Sequence, residues 1–116
     1  MTRFEFATAT RIVFGAGTLP EAVQAAAGFG RRVFLVTGSR LERAERLAGQ
    51  LRSAGLAVII AQAVGEPTTD SVQTLTTQAR AERCEVVIGL GGGSVIDAAK
   101  VVSGLLTNAG DLFDYL

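Results

Sequence analysis

Residues 85–100, which read E-V-V-I-G-L-G-G-G-S-V-I-D-A-A-K, decide the fold of this chain. The apolar run at 86–88 predicts a buried strand, which turns through a glycine cluster into a helix that opens at Ser94. The first N–H groups of a helix have no intrahelical partner, and the helix dipole adds partial positive charge there. Because glycines remove the Cβ atoms that would hold an anion away, the stretch predicts a cradle for the diphosphate of a nucleotide cofactor, with a purely structural turn as the alternative.

The bulk composition indicates one globular domain with no charge-driven partner. The 116 residues are about one domain long, and 48% hydrophobic residues suffice for a buried core. The formal net charge is zero, which argues against a general nucleic-acid binder and a polybasic membrane partner. No apolar run approaches the roughly 20 residues of a membrane span, and the start lacks a signal-peptide layout. The expected location is therefore cytoplasmic.

The absence of histidine from the sequence limits its chemistry. A Ser-His-Asp triad, a histidine general base and a His-rich zinc or iron site all need a residue type that these 116 residues lack. The single cysteine, Cys84, has no histidine to activate it. We therefore interpret Cys84 as a buried spacer before a strand, with a nucleophile as the alternative.

Strand-like and helix-like segments alternate along the chain, joined by connections of a few residues. Strands are predicted at 4–6, 11–14, 32–37, 56–61 and 85–90, and helices from Thr18 to about Ala27, at 41–54, from Thr68 or Thr69 to about Glu82, and from Ser94 to Asn108. The strand at 32–37 is apolar without alternation, which favours burial on both faces. The pattern predicts an α/β fold, a Rossmann-like layered sheet, mostly parallel, with helices on both faces and a short N-terminal strand pair.

A second glycine-containing turn, at residues 15–17, also follows a predicted strand. Thr18 and Glu21 form a capping-box pattern, and Pro20 is tolerated in a first helical turn. These glycines therefore indicate the start of a helix rather than a nucleotide loop.

The residues after the main glycine cluster narrow its interpretation. The fingerprint G-x-G-x-x-G is only partly met, because Ser94 stands in the last place, and no Gly-Lys pair offers a P-loop. The sequence from Gly91 to Lys100 resembles the G-G-G-S-x-x-D-x-x-K segment of the iron-containing (group III) alcohol dehydrogenases, whose relatives include maleylacetate reductase, glycerol dehydrogenase and dehydroquinate synthase. An F-G-x-G turn at 14–17 and an E-P turn at 66–67 are similar too, so the resemblance covers essentially the whole chain.

The resemblance implies that residues 1–116 are the NAD(P)-binding domain of a metal-dependent alcohol dehydrogenase. Such an enzyme transfers hydride between a nicotinamide cofactor and an alcohol, aldehyde or ketone. In the family, an Asp and several His of a following helical domain hold Fe²⁺ or Zn²⁺. That domain, absent from this chain, is the expected partner, and the 116 residues alone are expected to be inactive. Apolar surface exposed without it would favour a homo-oligomer.

The resemblance also assigns cofactor-binding residues. The predicted set is Gly38, Ser39, Arg40, Pro67, Gly91, Gly92, Gly93, Ser94 and Asp97. The three consecutive glycines and Ser94 would hold the pyrophosphate through backbone N–H groups and the hydroxyl. Asp97 would face the nicotinamide ribose, a role compatible with an acid complementing the helix dipole. Pro67 lies in the turn that resembles the family's E-P turn.

The turn at Gly38, Ser39 and Arg40 bears on the choice between NADP and NAD. Many NAD-preferring members carry an acid at the first of these positions, where it bonds the adenine ribose. Glycine in its place, beside a hydroxyl and a guanidinium, would suit a 2′-phosphate, which favours NADP. The alternative is a surface arginine that starts a helix.

The sequence is also compatible with two other functions. A relative of dehydroquinate synthase would use the cofactor transiently in a lyase-type cycle, although the sequence from Ser94 to Lys100 matches the alcohol dehydrogenase pattern better. A non-catalytic nucleotide-binding module would bind a dinucleotide without turnover.

Overall fold

A computed structural model describes residues 11–14 and 19–107. The described strands are β1 (Arg11–Phe14), β2 (Arg32–Thr37), β3 (Ala57–Gln62) and β4 (Val86–Leu90), and the helices are α1 (Leu19–Phe29), α2 (Leu41–Ser53), α3 (Thr69–Ala81) and α4 (Gly93–Thr107). These strands form one sheet in the order β1-β4-β2-β3, and every pairing is parallel. The predicted parallel α/β sheet is confirmed. The predicted strand at 4–6, the turn at 15–17, the cap at Thr18 and the helix end at Asn108 lie outside the described residues.

Strand β2 is buried on both faces, as its sequence predicts. Val33 and Leu35 belong to a core with α1 and α2, whereas Phe34 and Val36 belong to a core with α3 and α4. All four side chains are fully buried. Because successive side chains of a strand point to opposite faces, a run without polar alternation is what a sheet between two helical layers requires.

Helix α4 approaches β4 closely at Gly89. A Cβ atom at Gly89 would lie 2.9 Å from the Cβ of Ala99 and 3.3 Å from Cδ1 of Ile96. Real Cβ atoms do not come this close, so any larger residue would push α4 away from the sheet. The small side chains at this contact therefore fix the height of α4 above β4.

Polar contacts tie the elements together at the amino ends of the strands. The Nε of Arg32 donates to the carbonyl of Glu82 at 2.5 Å, and its guanidinium lies 3.4 Å from the Glu82 carboxylate. The backbone N–H of Arg31 donates to Oε1 of Glu85 at 2.7 Å. This end of the sheet is occupied by structural hydrogen bonds.

The carboxyl ends of the strands open into a crevice. Strand β2 continues into α2 on one face, whereas the neighbouring β4 continues into α4 on the other face. Connections that diverge from adjacent parallel strands leave a gap above them, and ligands of open α/β sheets bind in such gaps.

Several predicted boundaries differ from the structure by one or two residues. Helix α1 continues through Gly28 to Phe29, because glycine inside a helix costs only about 1 kcal/mol and does not by itself end it. Strand β3 starts one residue later than predicted, because the N–H of Leu56 donates to the carbonyl of Leu51 and closes α2.

Helices α2 and α3 end in the same hydrogen-bonding motif but with different residues. At α3, the N–H of Cys84 donates to the carbonyl of Ala79, and the N–H of Arg83 donates to the carbonyl of Arg80, both at 3.0 Å. Arg83 has a left-handed φ of 55°, and Gly55 occupies the equivalent position of α2 with φ of 92°. The left-handed conformation costs an L-residue about 1–2 kcal/mol but is open to glycine.

Replacing Arg83 by glycine should therefore stabilise the chain. We expect Arg83→Gly to raise the free energy of unfolding by about 0.5–1 kcal/mol, the relief of backbone strain being partly offset by a more flexible unfolded chain. Gly55→Ala, the matched control, should lower it by about 1 kcal/mol. Urea unfolding measures both, and a loss of stability in Arg83→Gly would contradict the assignment of strain.

Cys84 follows this motif and is buried in the core with α3 and α4. Burial raises the pKa of its thiol from 9.0 to about 11; the charge of Arg32 opposes this shift, whereas the carboxylates of Glu82 and Glu85 add to it. The reactive thiolate is thus scarce at neutral pH, which supports the interpretation of Cys84 as a buried spacer.

The buried thiol should make stability fall at alkaline pH. Above about pH 9 the unfolded chain releases the thiol proton while the folded chain keeps it until about pH 11. The free energy of unfolding should therefore decline across this interval, by about 3 kcal/mol at most. Cys84→Ala should lose less stability between pH 8 and pH 10.5 in urea unfolding, whereas parallel pH curves for the two chains would contradict the shift.

Candidate functional site

Two adjoining pockets lie in the crevice above the carboxyl ends of the sheet. The arginine pocket, of about 300 Å³, is lined by Thr37, Gly38, Ser39, Arg40, Arg43, Leu90, Gly91, Gly92 and Val95. The serine pocket, of about 250 Å³, is lined by Gly38, Ser39, Ala63, Val64, Gly65, Gly92, Gly93, Ser94 and Val95. Their shared residues come from the turn after β2 and the start of α4, so the two pockets form one groove.

The turn after β2 is held by both neighbouring strands. The carbonyl of Thr37 accepts from the N–H of Ala63 at 2.7 Å, and the Thr37 hydroxyl donates to the carbonyl of Leu90 at 3.3 Å. The side-chain amide of Gln62 donates to the carbonyl of Gly38 at 3.2 Å. The backbone of the groove is therefore positioned by hydrogen bonds before any ligand arrives.

The glycines at the start of α4 differ in whether packing and backbone conformation require a glycine. Gly91 has φ of 156°, and a Cβ there would lie 3.0 Å from Cγ2 of Val95, so the fold itself needs glycine. A Cβ at Gly92 or Gly93 would meet nothing within 4 Å. Gly92 accepts the first intrahelical bond, from the N–H of Ile96 at 3.1 Å, and glycine is common at that capping position. Gly93 lies inside the helix, where alanine would be favoured, so packing does not explain its glycine.

The start of α4 has the chemistry of an anion site. Because Gly92 accepts from Ile96, the N–H groups of residues 93–95 come before the first donor that has an intrahelical acceptor. Those donors and the helix dipole favour a negative group, and the absence of side chains at 92–93 leaves room for it. The residues present thus fit a phosphate.

A carboxylate already lies beside this helix start. The hydroxyl of Ser94 donates to Oε1 of Glu66 at 3.2 Å. Glu66 belongs to the connection between β3 and α3, and its position suits the electrostatic preference of a helix N-terminus for anions. The sequence indicates this glutamate only as part of an E-P turn, because its contact with Ser94 joins residues 28 positions apart.

The residues that line the arginine pocket include two arginines, Arg40 and Arg43, and no aspartate or glutamate. Arg40 was predicted from the turn after β2, whereas Arg43 was missed. Residues three apart on a helix share a face, so the spacing of Arg43 from Arg40 was a usable signal. This part of the groove favours a negatively charged ligand.

Pro67 and Asp97 of the predicted set lie outside the linings of both pockets. Pro67 is half-buried and precedes Thr68, whose hydroxyl accepts from the N–H of Ser71 at 3.0 Å in a capping box. This confirms Thr68 as the cap of α3. Asp97 is exposed on α4. The cofactor roles of Pro67 and Asp97 stay predictions, whereas the other predicted residues all line the groove.

The described residues hold no group of three or more His, Cys, Asp or Glu side chains arranged for a metal ion. These residues do not fit the Fe²⁺ or Zn²⁺ that the family resemblance implies. Nor does any helix in the described part of the chain have the length and apolar character needed to cross a membrane.

Comparisons with known proteins identify the family. The family model for iron-containing alcohol dehydrogenase matches residues 9–116. The sulfoacetaldehyde reductase of Bilophila wadsworthia is 35% identical over 93% of this chain and 29% of its own length. The glycerol-1-phosphate dehydrogenase [NAD(P)+] of Aeropyrum pernix is 36% identical over 88% of this chain and 29% of its own length.

A solved structure agrees with both sequence comparisons. The NADH-dependent butanol dehydrogenase A of Thermotoga maritima superposes with a TM-score of 0.70 and 31% identity, over 98% of this chain and 30% of that protein. The chain thus spans less than a third of the length of these relatives. With the family model matching nearly all of its length, the chain belongs to the iron-containing alcohol dehydrogenase family, a family of oxidoreductases.

Proposed function

We propose that these residues form the nicotinamide-dinucleotide-binding domain of an alcohol dehydrogenase. The observation that carries the proposal is Gly93, a glycine inside a helix start that packing does not require and that lines the groove. The groove lies where connections diverge from adjacent parallel strands, the usual ligand position of such sheets. The names of the Aeropyrum and Thermotoga relatives, which include NAD(P)+ and NADH, support the same ligand class.

In this proposal the pyrophosphate lies at the N-terminus of α4. The N–H groups of residues 93–95 donate to its oxygens, and the neutral glycines allow it to approach the backbone. The Ser94 hydroxyl, which donates to Glu66 in the structure, would turn its single proton from that carboxylate to the phosphate. Asp97 is proposed to contact the nicotinamide half, beyond the two pockets, and Pro67 is proposed only as a cofactor contact.

The proposed reaction is reversible oxidation of an alcohol to an aldehyde or ketone. The nicotinamide ring supplies the hydride chemistry when the cofactor is bound. The residues of this chain orient the cofactor and fix its phosphates. In the proposed enzyme, the metal and the substrate are held by the helical domain in which the family places its Asp and His ligands, so residues 1–116 alone should show no turnover.

Replacing Gly93 by alanine tests the cradle without disturbing the fold. We expect Gly93→Ala to weaken NADPH binding at least tenfold, about 1.4 kcal/mol, because the added Cβ stands where the phosphate approaches the backbone. Its free energy of unfolding should stay within about 0.5 kcal/mol or rise, since alanine is the better helix former. Fluorescence titration of the nucleotide and urea unfolding measure the two quantities.

Gly49→Ala is the matched control for this test. Gly49 lies exposed in α2, and a Cβ there also meets nothing within 4 Å. This variant should gain up to about 1 kcal/mol of stability and bind NADPH as the unsubstituted chain does. NADPH affinity unchanged in Gly93→Ala would rule out the proposed cradle.

The finer part of the proposal is that NADP is preferred over NAD. Gly38, Ser39 and Arg40 line the arginine pocket at the end of β2, where an acid would repel a 2′-phosphate. We expect NADPH to bind more tightly than NADH, and Gly38→Asp to reverse the order. The substitution is sterically acceptable, because a Cβ at Gly38 would lie 3.4 Å from its nearest neighbour, Cγ2 of Val95. Tighter binding of NADH by tenfold or more to the unsubstituted chain would exclude this preference.

A further inference from the structure

The first turn of α2 carries positive charge where a helix disfavours it. Arg40 occupies the N-cap position without a side-chain capping bond, and Arg43 follows three residues later. Both cations oppose the helix dipole, and their spacing places like charges on one face. The first turn of α2 also holds an acid, Glu42, as that of α3 holds Asp70, but α3 begins with a Thr68 capping box and α2 has no side-chain cap.

These two arginines are brought together on one pocket. Both line the arginine pocket, whose other polar side chains are the hydroxyls of Thr37 and Ser39 and whose lining contains no carboxylate. A local arrangement that opposes helix stability while lining a cavity is typical of a binding site. The pocket calls for a compact anion that can accept several charge-assisted hydrogen bonds.

The pocket is continuous with the proposed pyrophosphate cradle. Gly92 lines both the arginine pocket and the serine pocket. Leu90, at the end of β4, and Gly91 line the arginine pocket as well. A dinucleotide whose diphosphate lies at the start of α4 therefore has the arginine pocket beside it, within the same groove. The anion in the pocket would then belong to the adenosine half of the ligand.

We infer that Arg43 is the specificity-determining residue that selects a phosphomonoester on the adenosine ribose, and this inference rests on the proposed function. A planar guanidinium donates two parallel hydrogen bonds to phosphate oxygens, which a ribose hydroxyl cannot match. Arg43 is anchored on a helix, whereas Arg40 lies before it in extended backbone, with φ of −92° and ψ of 92°. The rigid attachment makes Arg43 the better-positioned donor of the pair.

The test compares Arg43→Ala with the unsubstituted 116-residue chain, titrating NADPH and NADH separately. Arg43→Ala should weaken NADPH binding at least tenfold and change NADH binding less than twofold. Its urea-unfolding midpoint should be equal or higher, because a cation leaves the N-terminal turn. In the unsubstituted chain, raising the ionic strength should weaken NADPH binding more than NADH binding. In Arg43→Ala, it should weaken the two equally.

Arg46→Ala is the matched control, since Arg46 lies exposed on the same helix outside the pocket lining and carries the same charge. It should change both affinities less than twofold. Equal weakening of NADPH and NADH in Arg43→Ala, or an NADPH to NADH ratio that stays within twofold, would overturn the role of Arg43 alone. If neither dinucleotide binds the unsubstituted chain, the proposed function fails and this inference fails with it.

Discussion

The contact between α4 and the sheet at Gly89 is the constraint on which the site depends. With only 2.9 Å between a Cβ at this position and that of Ala99, the helix can lie at this height only above a glycine. The same helix begins four residues later, so its distance from β4 also sets where its N-terminal N–H groups stand over the crevice. A packing requirement in the core thus determines the geometry of the groove.

The glycine cluster that follows combines two kinds of requirement that look alike in a sequence. Gly89 and Gly91 are needed by packing and backbone conformation, whereas the structure gives Gly93 no such reason. Gly93, the glycine with no structural role, is therefore the one that points to a ligand. The number of glycines in the motif is much weaker evidence for a ligand.

The sequence predicts features that depend on neighbouring residues better than features that depend on contacts between separate elements. The two-sided burial of β2 follows from its uninterrupted apolar run, and the predicted turn residues 38–40 and 91–94 do line one groove. The contact of Glu66 with Ser94 was missed because it depends on how separate elements meet, whereas Arg43 was missed although its spacing from Arg40 was a usable signal. The end of α1 was misplaced because a local signal, Gly28, was overruled by continued helical hydrogen bonding.

The polar contacts among Arg31, Arg32, Glu82 and Glu85 lie at the end of the sheet opposite the groove. These ties at the far end therefore use residues other than Gly38, Ser39 and Arg40, which bear on ligand choice. The groove can accumulate substitutions during evolution, or in an engineering campaign, while the ties at the far end preserve the scaffold. This separation makes the domain a suitable frame for exchanging one cofactor preference for another.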